Sequence, residues 1–260
     1  MKIVILASGS KGNATYIETP QTKILIDTGI SLKQVKSRLL NQGIQLTNLD
    51  GIFISHEHID HIKNLKTIAT ETNATIYINK LSYQEISRKK IYDIDSFPVY
   101  FINADTKYKI NDLVIVPITM SHDTINCYGF LLKELDKENS TFAILTDTGF
   151  INSKYYKILS SINTILIESN HDVEMLKNSG RTPILISRIL SNQGHLSNNQ
   201  CLEVLNNIVS EYTKNIILGH LSEDCNLPNI AYDNIHNNLI EHKFKLIVAK
   251  QHEELEKIEI

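Results

Sequence analysis

The stretch Gly51-Ile52-Phe53-Ile54-Ser55-His56-Glu57-His58-Ile59-Asp60-His61 decides how the chain is read. A short apolar run of strand character stops at Ser55 and gives way to the pattern H-x-H-x-D-H, after which Ile62, Leu65, Ile68 and Ala69 recur at helical spacing. His56 and His58 are two apart, so in extended backbone they point to one side and can chelate one ion. Asp60 and His61 stand where the chain turns into the helix and can face a second. Three imidazoles and a carboxylate in so short a span are costly to desolvate without a partner, and a metal is the natural one; the plainer reading is a polar surface loop.

Two ions held about 3.5–4 Å apart, as in two-metal hydrolases, need more ligands from distant strand ends. His122 ends the run 113–121, Asp147 ends 142–146 and His220 ends 215–219. Asp147 also belongs to a pair of near-copies: residues 24–29 read ILIDTG and residues 144–149 read ILTDTG. In both, an apolar run stops at Asp, and Thr-Gly reads as the turn behind it. Each carboxylate is expected at a strand tip, where it either serves chemistry or caps the turn.

Other runs consistent with strands are 3–6, 15–18, 23–26, 51–54, 75–78, 113–118, 128–132, 142–145, 164–167, 215–218 and 244–248. Helical faces are formed by Leu32, Val35 and Leu39, by residues 62–69, and by Leu202, Leu205, Ile208 and Tyr212. The last follows Ser197-Asn198-Asn199-Gln200, the pattern of a capping box. The order is a hairpin-rich start, a helix, strands, a helix, a strand-dominated middle and two late helices. Without strict βαβ alternation, two mixed sheets covered by helices fit better than an eight-fold barrel.

The chain has 260 residues, 42% apolar and 21% charged, with 10 Gly and 5 Pro and no Gly-, Ser- or Pro-rich linker. One α/β domain over 1–260 is the simplest organisation. The start, MKIVILASGS, is too short in apolar residues for a signal-peptide core, and no run approaches the roughly 20 of a membrane span, so a cytoplasmic protein is expected. Cys127, Cys201 and Cys225 are far apart and form no C-x-x-C, which indicates neither a disulfide framework nor a thiolate zinc site. A net charge of −3 argues against a broad basic surface, so any polyanion site is local.

With H-x-H-x-D-H followed in order by His122, Asp147 and His220, the chain resembles the metallo-β-lactamase superfamily. Further stretches, residues 6–13 (LASGSKGN), 167–172 (IESNHD), 194–198 (GHLSN) and 219–222 (GHLS), are similar over essentially the whole length to the WalJ family, also called YycJ or VicX. That resemblance implies a four-layer αβ/βα sandwich with a dinuclear site at one edge of its two sheets. It places His56, His58 and His122 on one ion and Asp60, His61 and His220 on the other, with Asp147 bridging and Asp27 bracing the metal-binding loop from behind. It further implies two divalent ions, zinc foremost with manganese or iron compatible, and a DNA exonuclease working from 5′ ends. A hydrolase of small esters or thioesters and a regulatory module without catalysis are the other classes open to this fold. One departure concerns Thr182-Pro183-Ile184, where the family carries Tyr-Pro-Trp; this chain has no Trp.

Such a centre suits phosphodiester hydrolysis. Asp60 is expected to orient or accept the proton of the attacking water. His195 resembles the histidine that assists the scissile phosphate in tRNA-processing relatives, with Glu168 as its partner; alternatively it only leads into the helix capped by Ser197. Ser8, Ser10 and Asn13, in a loop of small residues, and His171 are expected near substrate phosphate, although a tight hairpin explains that loop equally well. Arg88, Lys89, Lys90, Arg181 and Arg188 are either clamps on a nucleic-acid backbone or solvated surface.

Overall fold

The computed structural model describes residues 1–89, 94–239 and 243–260. Among them the strands form two seven-stranded sheets. The first contains β1 (Lys2–Ala7), β2 (Ala14–Glu18), β3 (Lys23–Ile26), β4 (Gly51–Phe53), β5 (Ile76–Ile78), β6 (Val99–Phe101) and β14 (Ile258–Glu259), in the order β14-β1-β2-β3-β4-β5-β6. The second holds β7 (Tyr108–Ile110), β8 (Leu113–Met120), β9 (Cys127–Glu134), β10 (Thr141–Leu145), β11 (Thr164–Glu168), β12 (Asn215–Gly219) and β13 (Lys245–Val248), in the order β13-β12-β11-β10-β9-β8-β7. Both are mixed: β1, β2 and β3 pair antiparallel and β3 to β6 parallel, while β7 to β10 pair antiparallel and β10 to β13 parallel.

Period-two alternation of apolar residues builds the layers. Ile3, Ile5, Ile24, Ile26 and Phe53 face Phe130, Phe142, Ile144, Leu166 and Ile217 between the sheets. Their neighbours Val4, Leu6 and Leu25 turn to the helices of the first sheet, α1 (Leu32–Asn41) and α3 (Leu65–Thr72). Ala143, Leu145, Ile216 and Leu218 turn to α8 (Asn198–Ile208) and α9 (Pro228–Asn238). Each such side chain contributes about 1.5–3 kcal/mol by leaving water. The result is the four-layer sandwich expected.

Several local expectations change. The helix expected over 62–69 is two, α2 (Ile59–Ile62) and α3, because Asn64 N donates to Thr28 O (3.0 Å) and ties the break to the turn after β3. The Ser197–Gln200 capping box is formed, but α8 stops at Ile208, where Val209 turns to extended backbone, and Tyr212 is 51% exposed. Among the described residues four helices rather than two follow Glu168, since α6 (Val173–Lys177) and α7 (Pro183–Ile189) are too short to show a periodic face. Edge strands β6, β7 and β14 were not foreseen; they are two or three residues long and partly exposed.

The segment from β13 to β14 crosses between the sheets. On the way Gln251 accepts from Lys11 N (2.8 Å) and donates to Gly12 O (2.9 Å), and Arg38 of α1 donates to Leu6 O and His252 O. The loop of residues 8–13 is thereby held against the strand ends that carry the histidines.

Candidate metal centre

At the strand ends that carry the site, Asp27 (φ 60°), Asp147 (φ 56°) and His220 (φ 54°) hold left-handed backbone although none is Gly. Such conformations persist only where surroundings fix them. Here His220 N donates to the Ser8 hydroxyl (2.8 Å), and Asp27 N donates to Phe53 O (2.9 Å).

The seven expected ligands come together. His56, His58 and His122 form one cluster and Asp60, His61 and His220 a second, with candidate ligand atoms in each within 4.8 Å of one another. The Asp147 carboxylate lies between them: Oδ2 is 3.3 Å from His61 Nε2, and Oδ1 is 3.3 Å from His220 Nε2 and 3.9 Å from His122 Nε2. The outer ring nitrogens are anchored away from the centre. His61 Nδ1 donates to Asp27 Oδ2 (2.8 Å), His220 Nδ1 to Glu168 Oε1 (2.8 Å) and His122 Nδ1 to Gly194 O (3.2 Å), while His56 Nδ1 meets Ser55 Oγ at 3.0 Å. Each of those Nε2 lone pairs is thus directed inward, as metal-binding imidazoles require.

Protons alone do not satisfy this cluster. Burial lowers the His56 pKa well below its usual value, and the neighbouring His61, His122 and His58 lower it further while Asp147 opposes them. Burial also opposes charge on His220, yet Asp147, Asp60 and Glu168 outweigh it and raise that pKa to about 10. His56 Nε2, His220 Nε2 and Asp147 Oδ2 are buried without a hydrogen-bond partner. A divalent cation binds neutral imidazoles and ionised carboxylates; it would take the place of the proton that the carboxylates hold on His220, and its charge would remove the cost of burying them. The residues fit a metal.

Glu168 stands apart from the expectation that paired it with His195 alone. It is fully buried, and Oε1 accepts from both His195 Nδ1 (2.7 Å) and His220 Nδ1, while Oε2 accepts from Thr148 N (2.9 Å) and Leu196 N (3.3 Å). Burial would raise its pKa, but His195 and His220 hold it down at about 2. Its carboxylate is closed to solvent. His195 keeps its ring 22% exposed beside His122 and His220 (centroids 4.9 and 5.4 Å).

The residues expected at substrate separate. Ser10 is exposed and lines a pocket beside His195. Ser8 is buried, with its hydroxyl on His220 N, and His171 is wholly buried, so neither is open to a phosphate. Asn13 Nδ2 lies 3.0 Å from His61 Nε2 and 3.5 Å from Asp60 Oδ2, against the ligands themselves. Of the basic residues, Arg88 and Lys89 pair with Glu85, Arg181 and Arg188 line the pocket with Ser10, and Lys90 lies outside the described residues. Ile184 stands 84% exposed on α7, one turn before Arg188.

Three supporting residues were missed. Ser55 gives both N–H (2.9 Å) and hydroxyl to Asp27. Glu57 accepts from Ser82 Oγ (2.6 Å) and Ile125 N (3.3 Å), tying α4 (Lys80–Arg88) to the loop after His122. Cys127 backs His56 Nδ1 at 3.6 Å. Ser55 and Glu57 could have been found from their place beside and inside H-x-H-x-D-H; Cys127 carried no such signal.

The model of the β-lactamase superfamily domain matches residues 22–220. The chain is similar to exodeoxyribonuclease WalJ of Streptococcus pneumoniae, 35% identical over 241 residues that cover 92% of this chain and 88% of the relative. It is also similar to exodeoxyribonuclease YycJ of Bacillus anthracis, 32% identical over 230 residues, 87% of this chain and 84% of that one. Zinc-bound PqqB from Methylobacterium extorquens shares the fold, with a TM-score of 0.74 at 11% identity over 98% of this chain and 99% of the other. No helix among the described residues is long and apolar enough to cross a membrane. The chain belongs to the metallo-β-lactamase hydrolase superfamily and, within it, to the family of WalJ and YycJ.

Proposed function

We propose that the protein is a single-domain, metal-dependent exodeoxyribonuclease that works from 5′ ends of DNA in the cytoplasm and holds two divalent ions, zinc foremost. His56, His58 and His122 would hold one, Asp60, His61 and His220 the other, and Asp147 would be shared. The ions would supply Lewis acidity to the scissile phosphate and acidify the attacking water. Burial would raise the Asp60 pKa, but His61 and His220 hold it far below the usual carboxylate range; it stays ionised and orients the water by accepting its hydrogen bond. His195, whose Nδ1 proton is fixed on Glu168, offers a protonated Nε2 to the departing oxygen. Burial opposes charge on its ring, yet Glu168 outweighs it and raises the pKa.

The observation that carries this reading is the buried, unpartnered set His56 Nε2, His220 Nε2 and Asp147 Oδ2 in a chain whose relatives bear the name exodeoxyribonuclease. Metal analysis of the purified protein should give close to two ions per chain, and release of labelled nucleotides from 5′-ended DNA should stop with a chelator and return with metal. Thioester turnover without DNA cleavage would favour the small-ester class. Neither activity, with no bound metal, would leave only a regulatory module.

A further inference from the structure

The loop of residues 8–13 reaches one half of the ligand cluster and not the other. The Asn13 carboxamide is fixed on Gly9, whose N–H donates to Oδ1 (2.9 Å) and whose carbonyl accepts from Nδ2 (3.0 Å). The second N–H of Nδ2 is left to face His61 Nε2 (3.0 Å) and Asp60 Oδ2 (3.5 Å). The backbone repeats the link, since Asn13 N donates to Asp60 O (2.8 Å). At the other end of the loop the Ser8 hydroxyl accepts from His220 N (2.8 Å). His56 and His122 are braced by Ser55 and Gly194 instead, and among the described residues no hydrogen bond joins the loop to either of them or to His58. We propose that this loop positions the ligands of one ion alone, Asn13 holding Asp60 beside His61 and Ser8 holding His220. The inference rests on the two-ion reading and makes the two ions unequal.

Asn13 is a positioning residue and not a ligand. Its Oδ1 is turned to Gly9, so what the amide presents to the centre is a donor. His61 Nε2 has a single lone pair, and an ion that takes it leaves Asp60 Oδ2 as the acceptor for the Asn13 N–H. A carboxylate that meets a cation with one oxygen has the other to satisfy, and ligating carboxylates are held by such hydrogen bonds. The Asp60 side chain is only 19% exposed, so little water can stand in for Asn13. Ser8 acts through the backbone. His220 leaves β12 with φ 54°, a conformation that persists only where its surroundings fix it, and the Ser8 hydroxyl is the partner of its N–H. Nothing comparable ties the His56, His58 and His122 set to this loop, so loss of the loop's contacts spares that set.

The test is a set of zinc titrations against a competing chromophoric chelator, which read affinity without substrate. The wild type should bind two ions per chain. Asn13→Ala should keep one at wild-type affinity and weaken the other by about 10- to 100-fold, as losses behind the ligands do; Ser8→Ala, the milder change, should weaken the same ion less. Double variants identify that ion. Added to His61→Ala, which already loosens it, Asn13→Ala should change little; added to His58→Ala, which spoils the other site, it should weaken the ion that remains. Ile208→Val, a change in the core under α8, controls for stability: it should lower the melting temperature and leave both affinities in place. The proposal is overturned, with the two-ion reading intact, if Asn13→Ala weakens both ions alike or neither, if it is redundant with His58→Ala, or if Ile208→Val loses the same ion. A wild type with one ion overturns the two-ion reading, and the double variants still decide which ligands the loop serves. A wild type with none overturns both.

Discussion

The two Asp-Thr-Gly turns have the same backbone and opposite surroundings. Asp27 follows β3 directly and Asp147 follows β10 after Thr146, both hold φ near 60°, and both strands have a parallel neighbour whose end reaches the turn. Beside β3 that neighbour is β4, and the loop leaving β4 brings donors: Ser55 N–H, Ser55 O–H and His61 Nδ1–H saturate the Asp27 carboxylate. Beside β10 the neighbour is β11, which ends in Glu168. A carboxylate cannot donate to a carboxylate; Glu168 takes Thr148 N instead, and Asp147 Oδ2 has no hydrogen-bond partner, only the His61 ring at 3.3 Å. Each turn also docks a functional loop. A Cβ on Gly29 would stand 1.7 Å from Asp60 O, and one on Gly149 2.3 Å from Asn192 O, in the loop that leads to His195. A motif thus fixes where a side chain goes, and the adjacent strand fixes what it does.

The largest effect is expected from Asp147→Asn. A neutral amide cannot balance two cations, so metal content should fall and DNA cleavage drop to the level of chelator-treated protein, with little recovery in excess zinc or manganese. Gly29→Ala comes next: the Asp60–His61 turn must shift, costing about 3 kcal/mol at the upper end of overpacking and weakening metal binding. Thermal melts with and without metal would show both losses, and a melt equal to wild type would mean that the first turn does not clamp this loop. Asp27→Asn should lower metal affinity by about 10- to 100-fold, as losses behind the ligands do, because its amide N–H₂ would meet a donor where Asp27 accepts one. Excess metal should restore most of its activity; equal rescue of Asp27→Asn and Asp147→Asn would break the contrast between the turns. Ser55→Ala should be mildest, about 1 kcal/mol for the lost hydroxyl bonds, since the Ser55 N–H still reaches Asp27. A titration of metal against this variant should shift by only several-fold.

The candidate ligand cluster was legible because its chemistry is concentrated: H-x-H-x-D-H leaves few alternatives, and His122, Asp147 and His220 each end an apolar run. The sandwich was legible from strands such as 23–26 and 215–218, whose Ile and Leu alternate between two cores. Of the hub at Glu168 only the pairing with His195 was expected, through the family resemblance; Thr148 and His220 are 20 and 52 residues away and no local pattern links them to it. Nor could residue type alone separate Ser10, open to the pocket, from Ser8, buried under His220, two positions apart in the same loop. The short helices and edge strands escaped because two to seven residues are too few to show a period.

Gln251 gives the order in which the centre matures during translation. The loop of residues 8–13 is made well before the groups that pin it: Gln251 lies some 240 residues later in the chain, and Ser8 waits nearly as long for His220. A growing chain that already displays H-x-H-x-D-H therefore has neither its last ligand nor the tether that settles the loop. The loop therefore settles only once the chain has been made through both His220 and Gln251.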